Sequence, residues 1–236
     1  MVICTINLEK SGIVIERHNS IEVEKLTEEN SLVINEKNDL YKDAIFFDLE
    51  HYIYKKPICV GVFGCCYYDE QKQKLEVTQY MIENKMDVKS ILFLAKDYFN
   101  LMRTKYNKKY IVTFSGNNDF TVINYLFQKY NVDLAIEEEF TQIDLQKQYE
   151  KENNTSIGLK SLERQFNIFR DTEVISGSNL AKTFSKIIKD NDYIIRMPEE
   201  KKEKILLYNE QDVVSLFHIY TNWNNAFDTE LVAIKE

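Results

Sequence analysis

The chain has 236 residues, of which 44% are hydrophobic, enough for one sizeable core within the range of a single large domain. Its net charge of -8 argues against a protein that grips long duplex nucleic acid by charge alone, though not against one that takes a few nucleotides through bound metal. No run approaches twenty consecutive apolar residues, which excludes a transmembrane helix on the sequence, and MVICTINLEKSGIVIE has neither the basic region nor the apolar core of a signal peptide. A cytoplasmic location is the expectation.

Taken in chain order, residues 1–38 alternate apolar and polar. VICTINLE, a Lys10 to Gly12 turn and IVIER read as a hairpin, and IEVEKL and SLVIN are candidates for further strands. This segment is assigned as an N-terminal β extension, and residues 39–236 as the main domain. DAIFFDLEHY is the first strand of that domain. Ile58–Tyr68, ICVGVFGCCYY, is apolar on both faces and therefore central. The polar DEQKQK turn leads into a return strand, LEVTQYMI, so an antiparallel meander is expected. SILFLAKDYFNLMRTKY has helical period, YIVTFS is a short buried strand, and FTVINYLFQKY is a helix. FTQIDL reads equally as a last strand or as the entry to a helix. GLKSLERQF, SNLAKTFSKIIKD and EEKKEKILLYNEQDVVSLFHIYTNW close the chain as helices, with Pro198 at the start of the last, where its missing N–H is harmless. The fold class is α/β: a mixed sheet with helices packed on it.

Four cysteines occur, Cys4, Cys59, Cys65 and Cys66, none in a C-x-x-C spacing. They read as small buried apolar residues in a reducing compartment. The neighbours Cys65 and Cys66 should point to opposite faces of their strand.

Chemistry concentrates in three places. Asp48 and Glu50, in AIFFDLE, are i and i+2 on a strand and share a face. Two like charges about 4 Å apart cost about 4 kcal/mol at an effective dielectric near 20; a hard divalent cation reverses that sign, because Mg²⁺ and Mn²⁺ take carboxylate oxygens. Two solvated acids at a strand end are the alternative. Asp119 follows the strand YIVTFS in VTFSGNNDF, at a Gly-Asn-Asn turn that opens a helix. Acids are common at helix starts, but strand ends beside glycine turns are also where α/β proteins gather ligands. Tyr208 and Asp212, in LLYNEQDVVSLF, are i and i+4 on one helix face.

The three signals in this order resemble the DEDD 3′–5′ exonuclease superfamily, which has an RNase H-like fold. Tyr-x-x-x-Asp is similar to its tyrosine branch, since the position a histidine branch would fill is Leu207. GLKSLERQFNIFRD followed by YNEQDV resembles the YprB-like RNase H-like domain family over about Asp43 to Tyr220. The resemblance implies a mixed sheet and two divalent cations, Mg²⁺ or Mn²⁺, with Asp48 bridging both. It implies that Glu50 and Asp212 complete the first metal site, that Asp119 holds the second largely through water, and that Tyr208 positions the attacking water. The implied substrate is single-stranded DNA or RNA or a frayed 3′ end.

The sequence departs from the pattern in places. Asn118 stands where an aromatic residue usually precedes the third acid, and Ser115-Gly116 replaces the usual Asn-Gly. His51-Tyr52 replaces Thr-Thr after the first two acids; these rings either stack on a base or pack on the sheet. Lys160 and Arg164 share a helix face and are solvated residues or phosphate contacts. Asp144 reads as a helix cap. Lys182, Lys186 and Lys189 form a basic stripe, a solvated face or a guide for a strand. The rival to a nuclease is a catalytically silent RNase H-like module that binds nucleic acid or a protein. The nuclease reading requires that the acids converge and that no Lys or Arg already neutralises them.

Overall fold

In the computed structural model, residues 14–170 and 175–225 are described. β1 is Val14–Glu22, β2 Ala44–Tyr54, β3 Lys56–Asp69 and β4 Lys74–Ile82. They are followed by α1 Asp87–Thr104, β5 Tyr110–Thr113, α2 Asn117–Tyr130, α3 Ile136–Glu139, β6 Thr141–Asp144 and α4 Leu145–Asn153. The chain continues with α5 Leu159–Gln165, α6 Gly177–Lys189, α7 Tyr193–Arg196 and α8 Glu199–Thr221. These strands form one six-stranded sheet in the order β1-β4-β3-β2-β5-β6. The first four pair antiparallel, whereas β2, β5 and β6 run parallel. This is the expected mixed sheet, with β3 central as its two apolar faces require.

The N-terminal expectation is met in part. IVIER lies in β1, from Val14 on, and pairs with the outer edge of β4, so this strand extends the main sheet. VICTINLE, the Lys10 to Gly12 turn and Cys4 lie outside the described residues. Of IEVEKL only Ile21 and Glu22 are strand, and SLVIN forms an isolated bridge, Ile34 to Lys37. Both readings of FTQIDL hold: β6 ends at Asp144, which then caps α4 by accepting hydrogen bonds from the Gln146 and Lys147 amides. The short helices α3 and α7 have too few turns to show a period in sequence.

Strand alternation splits the core. Phe47, Phe63 and Cys65 join a cluster with Ile91, Phe99, Ile123 and Phe184 from α1, α2 and α6. Phe46 and Cys66 join a second with Leu145, Leu162, Val213, Phe217 and Trp223 from α4, α5, α8 and the residues just after it. Cys65 and Cys66 thus face opposite sides, and with Cys59 they are free and buried. Each fully buried large apolar side chain contributes about 1.5–3 kcal/mol. Helix α8 reaches both clusters, with Ile205 and Leu206 in the first and Val213 onward in the second. Between them lies its polar turn, Tyr208 to Asp212. No helix of the described residues is long and apolar enough to cross a membrane.

Candidate metal centre

Pairing of β2 with β5 stops at Phe46 and Val112, but β2 runs on to Tyr54. Asp48 and Glu50 therefore lie just past the carboxyl end of the short parallel strand, where α/β sheets open to ligands. A register shift between Glu50 and His51 ends the regular ladder there. From the other side, α8 supplies Asp212. Ligand oxygens of Asp48, Glu50 and Asp212 all lie within 4.8 Å of one another.

A polar row beneath α8 holds this group. Asn209 Nδ2 donates to Asp48 Oδ2 at 3.0 Å, and Gln79 Nε2 donates to Asn209 Oδ1 at 2.8 Å and to the Leu206 carbonyl at 2.8 Å. Gly64 sits between Asp48 and Gln79 in the sheet register. A Cβ there would come within 2.0 Å of Asn209 Oδ1, so the glycine is needed for close approach and not for an unusual backbone. Gly64→Ala is expected to lower stability by about 1–3 kcal/mol and to displace Asn209 from Asp48. A thermal melt and the Mn²⁺ affinity of the variant check both effects.

Asp119 lies in the first turn of α2 and is buried. It is not within the 4.8 Å group; His51 Nε2 stands 3.9 Å from its Oδ1. The turn that delivers it differs from the usual form in an informative way. The left-handed residue is Ser115, with φ 55°, whereas Gly116 is helical and close-packed: a Cβ on it would lie 2.3 Å from Thr113 Oγ1. Ser115 N–H donates to Asp144 Oδ1 at 3.0 Å. Asp144 is thus the expected cap and also the anchor of the Asp119 turn.

Burial and mutual repulsion dominate the electrostatics. Asp48 is pushed from its ordinary 3.8 up to about 7, by burial first and the Asp212 charge second, with the Asn209 hydrogen bond opposing. Glu50 is held well above its usual range by burial, Asp48, Asp212 and Asp119. Asp119 is likewise raised by burial, Asp48, Asp212 and Asp144. Burial lowers His51.

Cations do approach the group, and Lys160, read from the sequence as a solvated residue or a phosphate contact, is one of them. Lys160 Nζ lies 2.7 Å from Asp212 Oδ1 and 4.6 Å from the Tyr208 ring centroid. Arg170 was not singled out by sequence reasoning. Its Nη2 donates to the same Asp212 oxygen at 2.5 Å, Nε donates to Glu163 Oε2 at 3.1 Å, and Nη2 also pairs with Glu163 Oε1. Its guanidinium carbon stands 5.5 Å from the Tyr208 ring centroid. The pairing does not discharge the site. Asp48, Glu50, Asp119, Asp212 and Glu163 make five carboxylates against the two cations, and burial first, with the neighbouring acids second, keeps Asp48, Glu50 and Asp119 raised. Glu163 and Arg170 were legible only as parts of GLKSLERQFNIFRD; no local spacing joins them to Asp212, 42 residues from Arg170.

The remaining candidates divide. Tyr52 packs against the first core cluster, while Asn118 is exposed beside Asp119 on α2. Arg164 is exposed on α5. Tyr208 is held above its usual phenol range by burial and by Asp212, Glu50 and Asp48, so its hydroxyl keeps its proton at neutral pH. Three crowded carboxylates offer hard oxygen donors, and two of them are raised by burial and then by their neighbours' charge. Such a set fits a divalent cation such as Mg²⁺ or Mn²⁺.

A family model of the RNase H superfamily matches residues 45–224. No curated protein matches the sequence. Domains of this superfamily generally hydrolyse phosphodiester bonds with divalent metals, and the acidic triad lies inside the matched span. By the length of that match, and by a mixed sheet with acids gathered at its open end, the chain belongs to the RNase H superfamily.

Proposed function

We propose that the protein is a metal-dependent nuclease that hydrolyses single-stranded DNA or RNA from the 3′ end, as a tyrosine-type DEDD exonuclease. The observation that carries this reading is the approach of Asp48, Glu50 and Asp212 to within 4.8 Å from two elements distant in sequence. When bound, two divalent cations would supply an ionised water and charge neutralisation for an in-line displacement. Asp48, Glu50 and Asp212 would hold the first, with Asp48 shared and Asp119 serving the second through water. Tyr208 remains a protonated phenol, and its hydroxyl would orient the water by hydrogen bonding, not by taking its proton. Lys160 would meet the phosphate. The YprB-like likeness of GLKSLERQFNIFRD and YNEQDV supports the subfamily. The lack of a membrane-spanning helix among the described residues is compatible with a cytoplasmic setting.

A 5′-fluorescein single strand incubated with Mn²⁺ tests the reading. A ladder shortened one nucleotide at a time from the 3′ end, and abolished by EDTA, is expected. Release of internal fragments would replace exonuclease by endonuclease. One observation favours a second reading, a silent nucleic-acid-binding module: Lys160 and Arg170 both occupy Asp212. That reading predicts an intact strand in Mn²⁺ and no Mn²⁺-dependent rise in melting temperature.

A further inference from the structure

Helices α6 and α8 enclose a groove of ≈ 400 Å³. Lys182 and Lys186 project into it from α6, and Lys201 and Lys204 from α8. Leu180 and Ile205 give it an apolar side, and among the described residues none that lines it is acidic. The lysines converge in a chain with 38 acidic residues against 30 Lys and Arg. Like charges gathered on facing helices repel one another, so the groove is poised for an anion that bridges them. Lys204 pairs with Glu200 at 2.8 Å, and Lys201 Nζ donates to the Tyr193 hydroxyl at 3.4 Å. Lys186 and Lys201 flank one ring, at 5.5 and 5.9 Å from the Tyr193 centroid, which holds two cations beside each other. Lys189, the third member of the sequence stripe, does not line the groove.

Helix α8 links the groove to the acidic site. Lys201, Ile205, Tyr208 and Asp212 are spaced i, i+4, i+7 and i+11 on α8, one face of the helix. Roughly 16 Å of helix axis separates Lys201 from Asp212. Helix α6 is fixed over the same region by Phe184, which packs where a Cβ on Gly61 of β3 would lie 2.4 Å from its ring. A linear polyanion in the groove would therefore point along α8 toward Tyr208 and Asp212.

We propose that the α6–α8 lysine groove binds the phosphate backbone of single-stranded nucleic acid, upstream of the bond presented to the acids. The choice of ligand rests on the nuclease reading. An acidic protein segment would match the charge but has no reason to be aimed at a carboxylate cluster.

The test separates the groove from the chemistry. Binding of a 5′-fluorescein-labelled dodecathymidylate is followed by anisotropy in EDTA across a salt series. The proteins are wild type, Lys182→Gln/Lys186→Gln, the same pair with Lys201→Gln/Lys204→Gln, and a control, Lys85→Gln/Lys89→Gln. The α6 pair leaves the site-bearing helix untouched, so its effect is not a folding defect of α8. Each lost phosphate contact removes about 0.7 from the salt slope. The expected result is tenfold or greater weakening in the fourfold variant, a slope reduced by about 2–3, an intermediate loss in the pair and no change in the control. Hydrolysis of thymidine 5′-p-nitrophenyl phosphate in Mn²⁺, a substrate too short to reach the lysines, should be equal in wild type and the fourfold variant. Equal oligonucleotide affinity in all four proteins, no binding by wild type, or lysine-dependent binding of poly-glutamate in place of the oligonucleotide would overturn the groove. Lysine-dependent binding without ester hydrolysis by wild type would uphold the groove and remove the nuclease reading.

Discussion

Asp48→Asn is expected to lower phosphodiester hydrolysis by at least about 10³-fold, about 4 kcal/mol of transition-state stabilisation, while making the metal-free protein more stable at pH 8. Both effects have one cause. Asp48 lies within 4.8 Å of both Glu50 and Asp212, and without a cation its charge is a cost. In the folded protein it takes up a proton at about pH 7, against 3.8 ordinarily. Between those values the folded state binds more protons than the unfolded one, so stability falls as pH rises. The stabilising contribution is complete below the ordinary 3.8 and gone above about 7. The raised Glu50 and Asp119 act in the same direction, so the wild-type melting temperature without metal should fall across this window. The amide of the Asp48→Asn variant carries no charge at any of these pH values, and the variant's fall should be shallower. Added Mn²⁺ binds the folded state alone and reverses the trend for wild type, by RT ln(1 + [L]/Kd), with little effect on the variant. Assays with matched preparations check the rate, and melts at pH 5 and pH 8 with EDTA or Mn²⁺ check the linkage. Equal cleavage by the two proteins would mean that the activity belongs to a contaminant. A variant less stable than wild type at pH 8 in EDTA would mean that the acids are not in mutual repulsion.

Arg170→Ala should cost about 3–5 kcal/mol of stability, the usual consequence of removing one partner from a buried ion pair. This is a large share of the roughly 5–15 kcal/mol by which a domain is folded. The side chains of Glu163, Asp212 and Arg170 are 3%, 6% and 7% exposed, so Glu163 would be left charged with only the more distant Lys160, at 4.0 Å. Asp212 would lose a donor at 2.5 Å. The guanidinium spans both acids in a fork that an ammonium cannot reproduce, so Arg170→Lys should recover only part of the loss. Glu163→Leu/Arg170→Met removes both charges together and should cost less than Arg170→Ala alone. Urea unfolding midpoints of the variants decide the order. A loss below about 1 kcal/mol for Arg170→Ala would mean that water screens the network as it does at a surface.

Much of this protein is determined locally. Alternation placed Phe46 and Phe47, and Cys65 and Cys66, on opposite faces, because side-chain direction in a strand depends on nothing beyond the strand. The meander, α1, α2 and α8 follow from period and turn chemistry, as does Asp144 as a cap. Asp48 beside Glu50, and Tyr208 beside Asp212, are likewise given by spacing within one element.

Tertiary structure decided what lies between elements. The approach of Asp212 to within 4.8 Å of Asp48 and Glu50 depends on α8 packing on β2, which in turn needs the gap at Gly64 for Asn209. A glycine in an apolar strand does not announce which side chain will fill its space. Arg170 as the partner of Asp212, and Lys160 beside it, come from packing of α5 and the chain after it against α8. The same holds for the facing of Lys182 and Lys186 with Lys201 and Lys204. Electrostatic energy falls with distance through space and is indifferent to separation along the chain. A sequence therefore shows which charges exist and which faces they share, and only the folded chain determines which of them meet.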